Sequence, residues 1–159
     1  MKGVIDNVVA FPIPRNKKPT HSKKIEWALR NFIASMGGHY YDDEIKDGIL
    51  FSYFKLDHET CVEQKICIGE NDCVCYTTLS RRAPTDDIYG LEDHMIIANR
   101  INTKLSYGNF EIDEKTGEIR FRTHIEGTER ISPEEIDKFL GYPKHIINEH
   151  GHMFPAYIY

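Results

Sequence analysis

The stretch from Leu91 to Glu126, LEDHMIIANRINTKLSYGNFEIDEKTGEIRFRTHIE, changes its hydrophobic repeat once, near Tyr107. Before that point, apolar residues recur at every third or fourth position, a spacing that gathers them on one side of an α-helix. They are Leu91, Met95, Ala98, Ile101 and Leu105. We therefore predict an amphipathic helix that buries this stripe.

Beyond Tyr107, apolar and polar residues alternate, as they do in strands with one face in the core and the other in water. The apolar members are Phe110, Ile112, Ile119, Phe121 and Ile125. Between the two runs lies Glu114–Gly117, and its glycine can adopt the positive φ that closes a short hairpin. Because a lone hairpin is only marginally stable, we expect the preceding helix or further strands to pack on its apolar face.

The residues before this unit predict one helix and three strands. Thr20 or Ser22 can cap the helix, Ile25, Leu29, Phe32, Ile33 and Met36 follow the helical repeat, and Gly37-Gly38 can end it. The strands Ile49–Leu56, Thr60–Ile68 and Cys73–Arg82 are rich in aromatic and β-branched residues and are separated by polar turns. Such a meander is antiparallel throughout.

The last part of the chain predicts a helix that opens with a capping box. Ser132-Pro133-Glu134-Glu135 has the required spacing and places proline where its missing N–H costs nothing. Gly141-Tyr142-Pro143 is expected to break or kink this helix. The whole pattern predicts an α+β fold of order α-βββ-α-ββ-α, in which helices cover one face of an antiparallel sheet of about five strands.

Two sets of aromatic residues lie outside these stripes. Trp27 is off the centre of the first helical stripe, and we expect it to pack in the core; contact with the N-terminal arm or with a partner is the alternative. Phe154, Tyr157, Ile158 and Tyr159 form an apolar end, which we expect to dock on the core; contact with a partner is the alternative.

Length and charge restrict the class of protein. The chain has 159 residues, of which 40% are hydrophobic, and this predicts an N-terminal arm, 1–19, followed by one domain, 20–159. Residues 1–24 carry six Lys or Arg against Asp6, a charge of +5, so the net charge of -5 leaves -10 for the remainder. No long apolar run or signal-like segment is evident, and we expect a cytoplasmic protein that does not bind membranes.

The segment from Ala98 to Ile125 resembles the YbjN family, which has the type III secretion chaperone-like fold. The matching residues are Asn99, Asn102, Gly108, Phe110, Gly117 and Arg122. The resemblance implies a bacterial protein of regulatory type without established catalytic residues, and the secretion chaperones of similar fold are dimers that bind extended segments of other proteins. From their spacing of one turn, the amides of Asn99 and Asn102 can tie the helix end to the next strand.

Four cysteines and three histidines raise the possibility of a metal site. Cys61, Cys67, Cys73 and Cys75 lack the paired close spacing of zinc ligands, so we expect reduced thiols that pack as small buried hydrophobic residues. His145, His150 and His152 lie near Glu149, but five residues on a helix separate the first two by about 140°. We expect no metal ion and no other cofactor, and a metal- or small-ligand-binding regulator is the alternative.

Nucleic-acid binding and catalysis are both disfavoured. Arg81-Arg82, Arg120 and Arg122 could form a basic stripe, with Tyr53 or Phe110 as stacking platforms, but acidic residues alternate with them. No pattern places a nucleophile, a base and an orienting acid together. We predict a protein-binding domain without enzymatic activity, which pairs with a protein partner or with itself as a homodimer and does not bind nucleic acid.

Overall fold

In a computed structural model, the chain forms a six-stranded antiparallel sheet of order β1-β2-β3-β4-β6-β5. The structure describes residues 22–35, 39–46, 48–55, 61–126 and 131–156. The strands are β1 His39–Lys46, β2 Ile49–Lys55, β3 Cys61–Ile68, β4 Asp72–Arg82, β5 Asn109–Ile112 and β6 Glu118–Glu126. The α-helices are α1 Lys23–Ser35, α2 Ile88–Asn102, α3 Pro133–Ile136 and α4 Tyr142–His150.

The predicted α+β class, the antiparallel pairing and the order of helices and strands are confirmed. One strand was not predicted: β1 pairs with β2 and forms an edge of the sheet. Its centre contains Asp42-Asp43-Glu44, residue types that are depleted in strands, and for this reason the sequence pattern does not mark it. Gly48, at a φ of 76°, turns the chain from β1 into β2.

The unit of α2 and the β5–β6 hairpin forms as its repeat predicts. Asp87 caps α2 by accepting a hydrogen bond from the Tyr89 N–H at 3.1 Å. At the other end, the Asn102 amide donates to the Phe110 carbonyl at 3.0 Å and accepts from the Phe110 N–H at 2.7 Å. The role expected of Asn102 is therefore confirmed, whereas Asn99 is exposed and contributes its backbone carbonyl to the helix end.

The stripe that α2 buries differs from the predicted one. Its fully buried members are Gly90, His94, Ala98 and Ile101. Ala98 and Ile101 were predicted, but Leu91, Met95 and Leu105 are only half-buried. The predicted centre of the stripe is wrong because the hydrophobic repeat counts only apolar side chains, whereas a histidine with suitable partners can be buried too.

All strand residues of the two hydrophobic clusters project from the same side of the sheet, which we call the inner face. The first cluster joins α1, α3 and the following turn to β2, β3 and β4, and the second joins α2, α4 and Phe154 to β3, β4, β5 and β6. The register pairs inward residues directly across the sheet, as in the row Leu50, Ile66, Cys75 and Thr123. The helices therefore lie over one face, as predicted.

The expected interruption of the last helix takes the form of a wide turn. Residues Asp137–Gly141 form a π-helical turn between α3 and α4, and the capping box of α3 is present as predicted. Pro143 has no N–H to offer the Phe139 carbonyl four residues earlier, and the Thr123 hydroxyl of β6 donates to that carbonyl at 2.8 Å. The Gln64 amide of β3 donates to the neighbouring Leu140 carbonyl at 2.9 Å.

The predictions for Trp27 and for the apolar end have different outcomes. Trp27 is 70% exposed, so the prediction of core packing is wrong; Ile25, Leu29 and Ile33 fill the α1 stripe without it. Phe154 is fully buried, as docking requires. The arm 1–19, together with Thr20, Met36, Gly37-Gly38 and Tyr157–Tyr159, lies outside the described residues.

Candidate binding surfaces

The second side of the sheet, which we call the open face, carries the residues that alternate with those of the inner face, and all of them except the buried Val74 are at least partly exposed. Its members are Ile49, Phe51, Tyr53, Glu63, Lys65, Cys67, Asp72, Val74, Tyr76, Thr78, Asn109, Glu111, Glu118, Arg120, Arg122, His124 and Glu126. None of the strand residues in either hydrophobic cluster belongs to this set. Within the described residues, helix packing therefore uses only the inner face.

One half of the open face is mainly apolar and aromatic. Ile49 pairs with Cys67, and Phe51 pairs with Lys65, which in turn pairs with Tyr76. Ile49, Phe51, Cys67 and Tyr76 are all half-buried, which is intermediate between a core and a fully solvated surface. Cys67 in turn pairs with Val74, so Ile49, Cys67 and Val74 form an apolar row across β2, β3 and β4, whereas Lys65 separates Phe51 from Tyr76 in the next row.

The other half of the open face is ionic, and its charges are largely matched locally. Glu111 lies 3.3 Å from the Arg120 Nε and 3.8 Å from the Arg122 Nε. The Arg120 guanidinium also lies 4.6 Å from the centre of the Tyr76 ring, in the geometry of a cation–π contact. The charged half is thus joined to the aromatic half by a direct contact.

Other polar side chains of the open face also contact each other across neighbouring strands. The Tyr53 hydroxyl donates to Glu63 at 2.8 Å, and His124 lies 3.8 Å from Asp72. Arg120 and Arg122, two members of the basic stripe considered from sequence, are therefore each paired with an acid. Phe110 cannot serve as a stacking platform, because it is buried on the inner face.

The three cysteines whose side chains are described do not converge. Cys67 is on the open face, whereas Cys73 and Cys75 are buried on the inner face. Burial raises the pKa of the Cys75 thiol to about 12 and also raises the pKa of Cys73. Burial raises the pKa of Cys67 as well, although the positive charge of Lys65 offsets part of that shift. These thiols therefore have the character of packed side chains, as expected.

The C-terminal histidines are also dispersed. His145 and His152 are exposed, and His150 lies 3.8 Å from Glu149. Among the described residues, no group of three or more His, Cys, Asp or Glu side chains is arranged to hold a metal ion. Arg81 has a structural role beside them, since its guanidinium donates to the Phe154 carbonyl at 2.7 Å.

His94 is the polar residue that the sequence analysis missed. Its ring is fully buried, with Nδ1 2.7 Å from the Gly90 carbonyl and Nε2 3.2 Å from the Pro155 carbonyl. The ring also stacks on Phe154 at a centroid distance of 6.2 Å. His94 therefore attaches the end of the described chain to α2, and the only sequence signal was its position four residues from Gly90 and from Ala98.

A second candidate surface is the outer side of α2, which we define as Ile88, Tyr89, Glu92, Asp93 and Ile96. All five residues are exposed. The side chains that α2 buries point to the sheet, so this outer side faces away from it. The molecule therefore has two candidate surfaces on opposite sides.

The comparisons with known proteins agree with the fold. No protein-family model matches the sequence, and no curated protein matches it. The structure is similar to the crystal structure of YbjN, "a putative transcription regulator from E. coli", with a TM-score of 0.55 and 10% sequence identity over 79% of this chain and 90% of that chain. At this identity the similarity shows a YbjN-like fold, as the resemblance from sequence implied. Separately, none of the helices in the described ranges has the length and apolar character needed to cross a bilayer.

Proposed function

We propose that this chain is a regulatory domain that acts by binding proteins rather than by catalysis, and that it forms a homodimer through the open face. The observation that carries the proposal is the apolar row of Ile49, Cys67 and Val74 across β2, β3 and β4, with the half-buried rings of Phe51 and Tyr76 beside it. An apolar row of this kind, bordered by polar residues, is typical of an interaction surface. YbjN, described as "a putative transcription regulator", has a similar fold, and this similarity supports a regulatory role.

The charge of the open face is low enough to permit a second copy of this chain as the occupant. The open face carries Lys65, Arg120 and Arg122 against five acidic residues, a balance of -2, in a chain whose residues beyond 24 sum to -10. In a twofold dimer the same patch meets itself, so acids that are already paired with arginines within one copy add little repulsion between the copies. The pairs formed by Glu111 with Arg120 and Arg122 supply that matching.

A charged substitution at Phe51 tests the dimer. Phe51→Glu places a carboxylate beside the apolar row, and because Phe51 is opposite Lys65, the cross-strand pair remains favourable within one chain. We expect the natural chain to sediment as a dimer and Phe51→Glu to sediment as a monomer with an unchanged circular dichroism spectrum.

Ile96→Glu is the matched control, since it also replaces a partly exposed hydrophobic residue but lies on the outer side of α2. We expect this variant to remain a dimer. A natural chain that sediments as a monomer at the highest attainable concentration would contradict the proposal, and so would a Phe51→Glu dimer.

A further inference from the structure

The buried ring of His94 lies between two hydrogen-bond acceptors. Its Nδ1 atom is 2.7 Å from the Gly90 carbonyl oxygen, and its Nε2 atom is 3.2 Å from the Pro155 carbonyl oxygen. A carbonyl oxygen can only accept, and a neutral imidazole has a single N–H, so a neutral ring can donate to only one of the two carbonyls. A ring with a proton on both nitrogens can donate to both.

Burial makes an unmatched nitrogen costly. The His94 side chain is fully buried, so water has little access to a ring nitrogen or a carbonyl oxygen that lacks a partner. The shorter contact is to Gly90, four residues earlier in α2, and it fixes a proton on Nδ1. In a neutral ring, Nε2 is therefore the bare nitrogen, and its lone pair faces the Pro155 oxygen. Protonation of Nε2 thus decides whether α2 holds Pro155.

The residues after α4 are held by side chains from distant parts of the chain, and we call residues 151–156 the C-terminal strap. Arg81 of β4 donates to the Phe154 carbonyl at 2.7 Å, and the Phe154 ring lies 5.1 Å from the Phe110 ring of β5, centre to centre. His94 contacts the next carbonyl, that of Pro155. Loss of the His94 contact would therefore free the far side of Phe154, with Arg81 still holding the near side.

The charged and titratable groups around His94 leave the second ring proton to the carbonyls. Within the described chain, no acidic side chain is buried with His94. The groups on the neighbouring elements are Asp87 at the cap of α2, the exposed Glu92 and Asp93 on its outer side, Arg81 on β4, the half-buried His150 on α4 and the exposed His152 on the strap. The two carbonyl oxygens favour the proton on Nε2, and the positive charge of Arg81 opposes it.

We propose that His94 is a pH-sensitive switch for the C-terminal strap, which is docked when both ring nitrogens carry a proton and loosens when Nε2 loses its proton. An ordinary histidine changes its charge between about pH 5 and 8, so small changes near neutrality can act on this ring. Because the docked strap favours the additional proton, docking is strongest in mild acid and weakens as the pH rises. The strap packs on the inner face, so the proposal does not depend on dimerisation through the open face.

Nuclear magnetic resonance of the isotope-labelled full chain tests both parts of the proposal. The nitrogen shifts of the His94 ring distinguish a protonated nitrogen from a bare one, and the backbone carbon signals of residues 152–156 distinguish a docked strap from a detached one. Over a titration from about pH 5 to about pH 9, we expect Nε2 to lose its proton. Over the same interval the ratio of detached to docked strap should rise about ten-fold or more, because a hydrogen bond from a charged donor is lost.

Two histidine variants separate this ring from the others. His94→Phe keeps a ring against Phe154 but cannot titrate, so the strap signals should no longer respond over that pH range. His152→Gln is the matched control, because it removes an exposed titratable ring from the strap itself, and it should keep the natural response.

The ring measurement on the natural chain decides the proposal even where His94→Phe does not fold. A docked strap beside a ring that keeps a bare nitrogen at the acidic end of the titration would overturn the proposal, and so would a detached fraction that does not rise with pH. A response that persists in His94→Phe, or one that disappears in His152→Gln, would assign the effect to another group.

Discussion

The two faces of the sheet are built from the same strands but differ in how their polar groups are satisfied. On the inner face, Gln64 and Thr123 are buried and donate to carbonyls of the π-helical turn. On the open face, Glu111 and its arginine partners are matched side chain to side chain while still in contact with water. The inner polar groups thus need one fixed arrangement, whereas the open ones can exchange partners.

This difference separates stability from binding. A buried donor that loses its acceptor has no water to replace it, so the inner face is committed to a single packing. A half-exposed aromatic or ionic residue can gain a new neighbour at little cost. We infer that the inner face determines the fold and that the open face is free to contact another molecule.

The largest difference between the faces is expected in thiol reactivity. Cys73 and Cys75 are fully buried on the inner face, and their raised pKa values keep them as thiols, whereas Cys67 is partly exposed on the open face. In a chain carrying Phe51→Glu and Cys61→Ser, Cys67 should react with an alkylating reagent at least roughly 1000-fold faster than Cys73 and Cys75, which require unfolding. Mass spectrometry of timed samples measures the three rates.

The same experiment links reactivity to the proposed dimer. With Phe51 intact, Cys67 should become slower to react as protein concentration rises, because a second copy covers the open face. Comparable rates at all three cysteines in the folded variant would show that the two faces are not distinct.

A smaller difference is expected between two threonines on the two faces. Thr123→Val keeps the shape of the side chain but removes the hydroxyl that donates to the Phe139 carbonyl, and it should lower the free energy of unfolding by about 1–2 kcal/mol. Thr78→Val removes a hydroxyl on the open face that donates to the half-buried Glu118 at 3.4 Å, and it should change that free energy by less than about 0.5 kcal/mol. Urea denaturation measures both values, and equal losses would contradict the distinction.

The elements that could be predicted from sequence are those specified by neighbouring residues. The cap at Ser132, the glycine turn at Gly117 and the alternation in β6 each depend on contacts a few residues apart. The tie between Asn102 and Phe110 spans only eight residues and was likewise predicted. Local chemistry is sufficient for these features because no distant part of the chain takes part in them.

The features that could not be predicted depend on distant partners. His94 is buried because a carbonyl 61 residues later meets its ring, and the π-helical turn is satisfied by Gln64, 76 residues before Leu140. Trp27 was expected in the core because of its size, yet the first cluster is complete without it. The candidate surfaces were not predicted for a related reason. The packing of the whole chain decides which side chains stay exposed, and one sequence does not show that packing.

The smallest expected effect is at Asp113, at the tip of the hairpin where both faces end. Its carboxylate accepts from the Lys115 N–H at 2.8 Å and the Thr116 N–H at 3.1 Å, and these bonds lower its pKa from the ordinary 3.8. A lowered folded-state pKa means that the carboxylate stabilises the fold fully above pH 3.8, and that this stabilisation is lost as the pH falls through the folded-state pKa.

Asp113→Asn keeps an acceptor oxygen but removes the charge, so it isolates this contribution. Because the turn is solvated, we expect the variant to be less stable than the natural chain by no more than about 0.5 kcal/mol at neutral pH, and the two to converge in acid. Glu114→Gln, at the exposed next position, is the control and should show no such convergence. Urea midpoints measured from neutral to acidic pH decide the matter: a constant difference between Asp113→Asn and the natural chain would mean that the charge at the hairpin tip contributes nothing, and that its hydrogen bonds alone hold the turn.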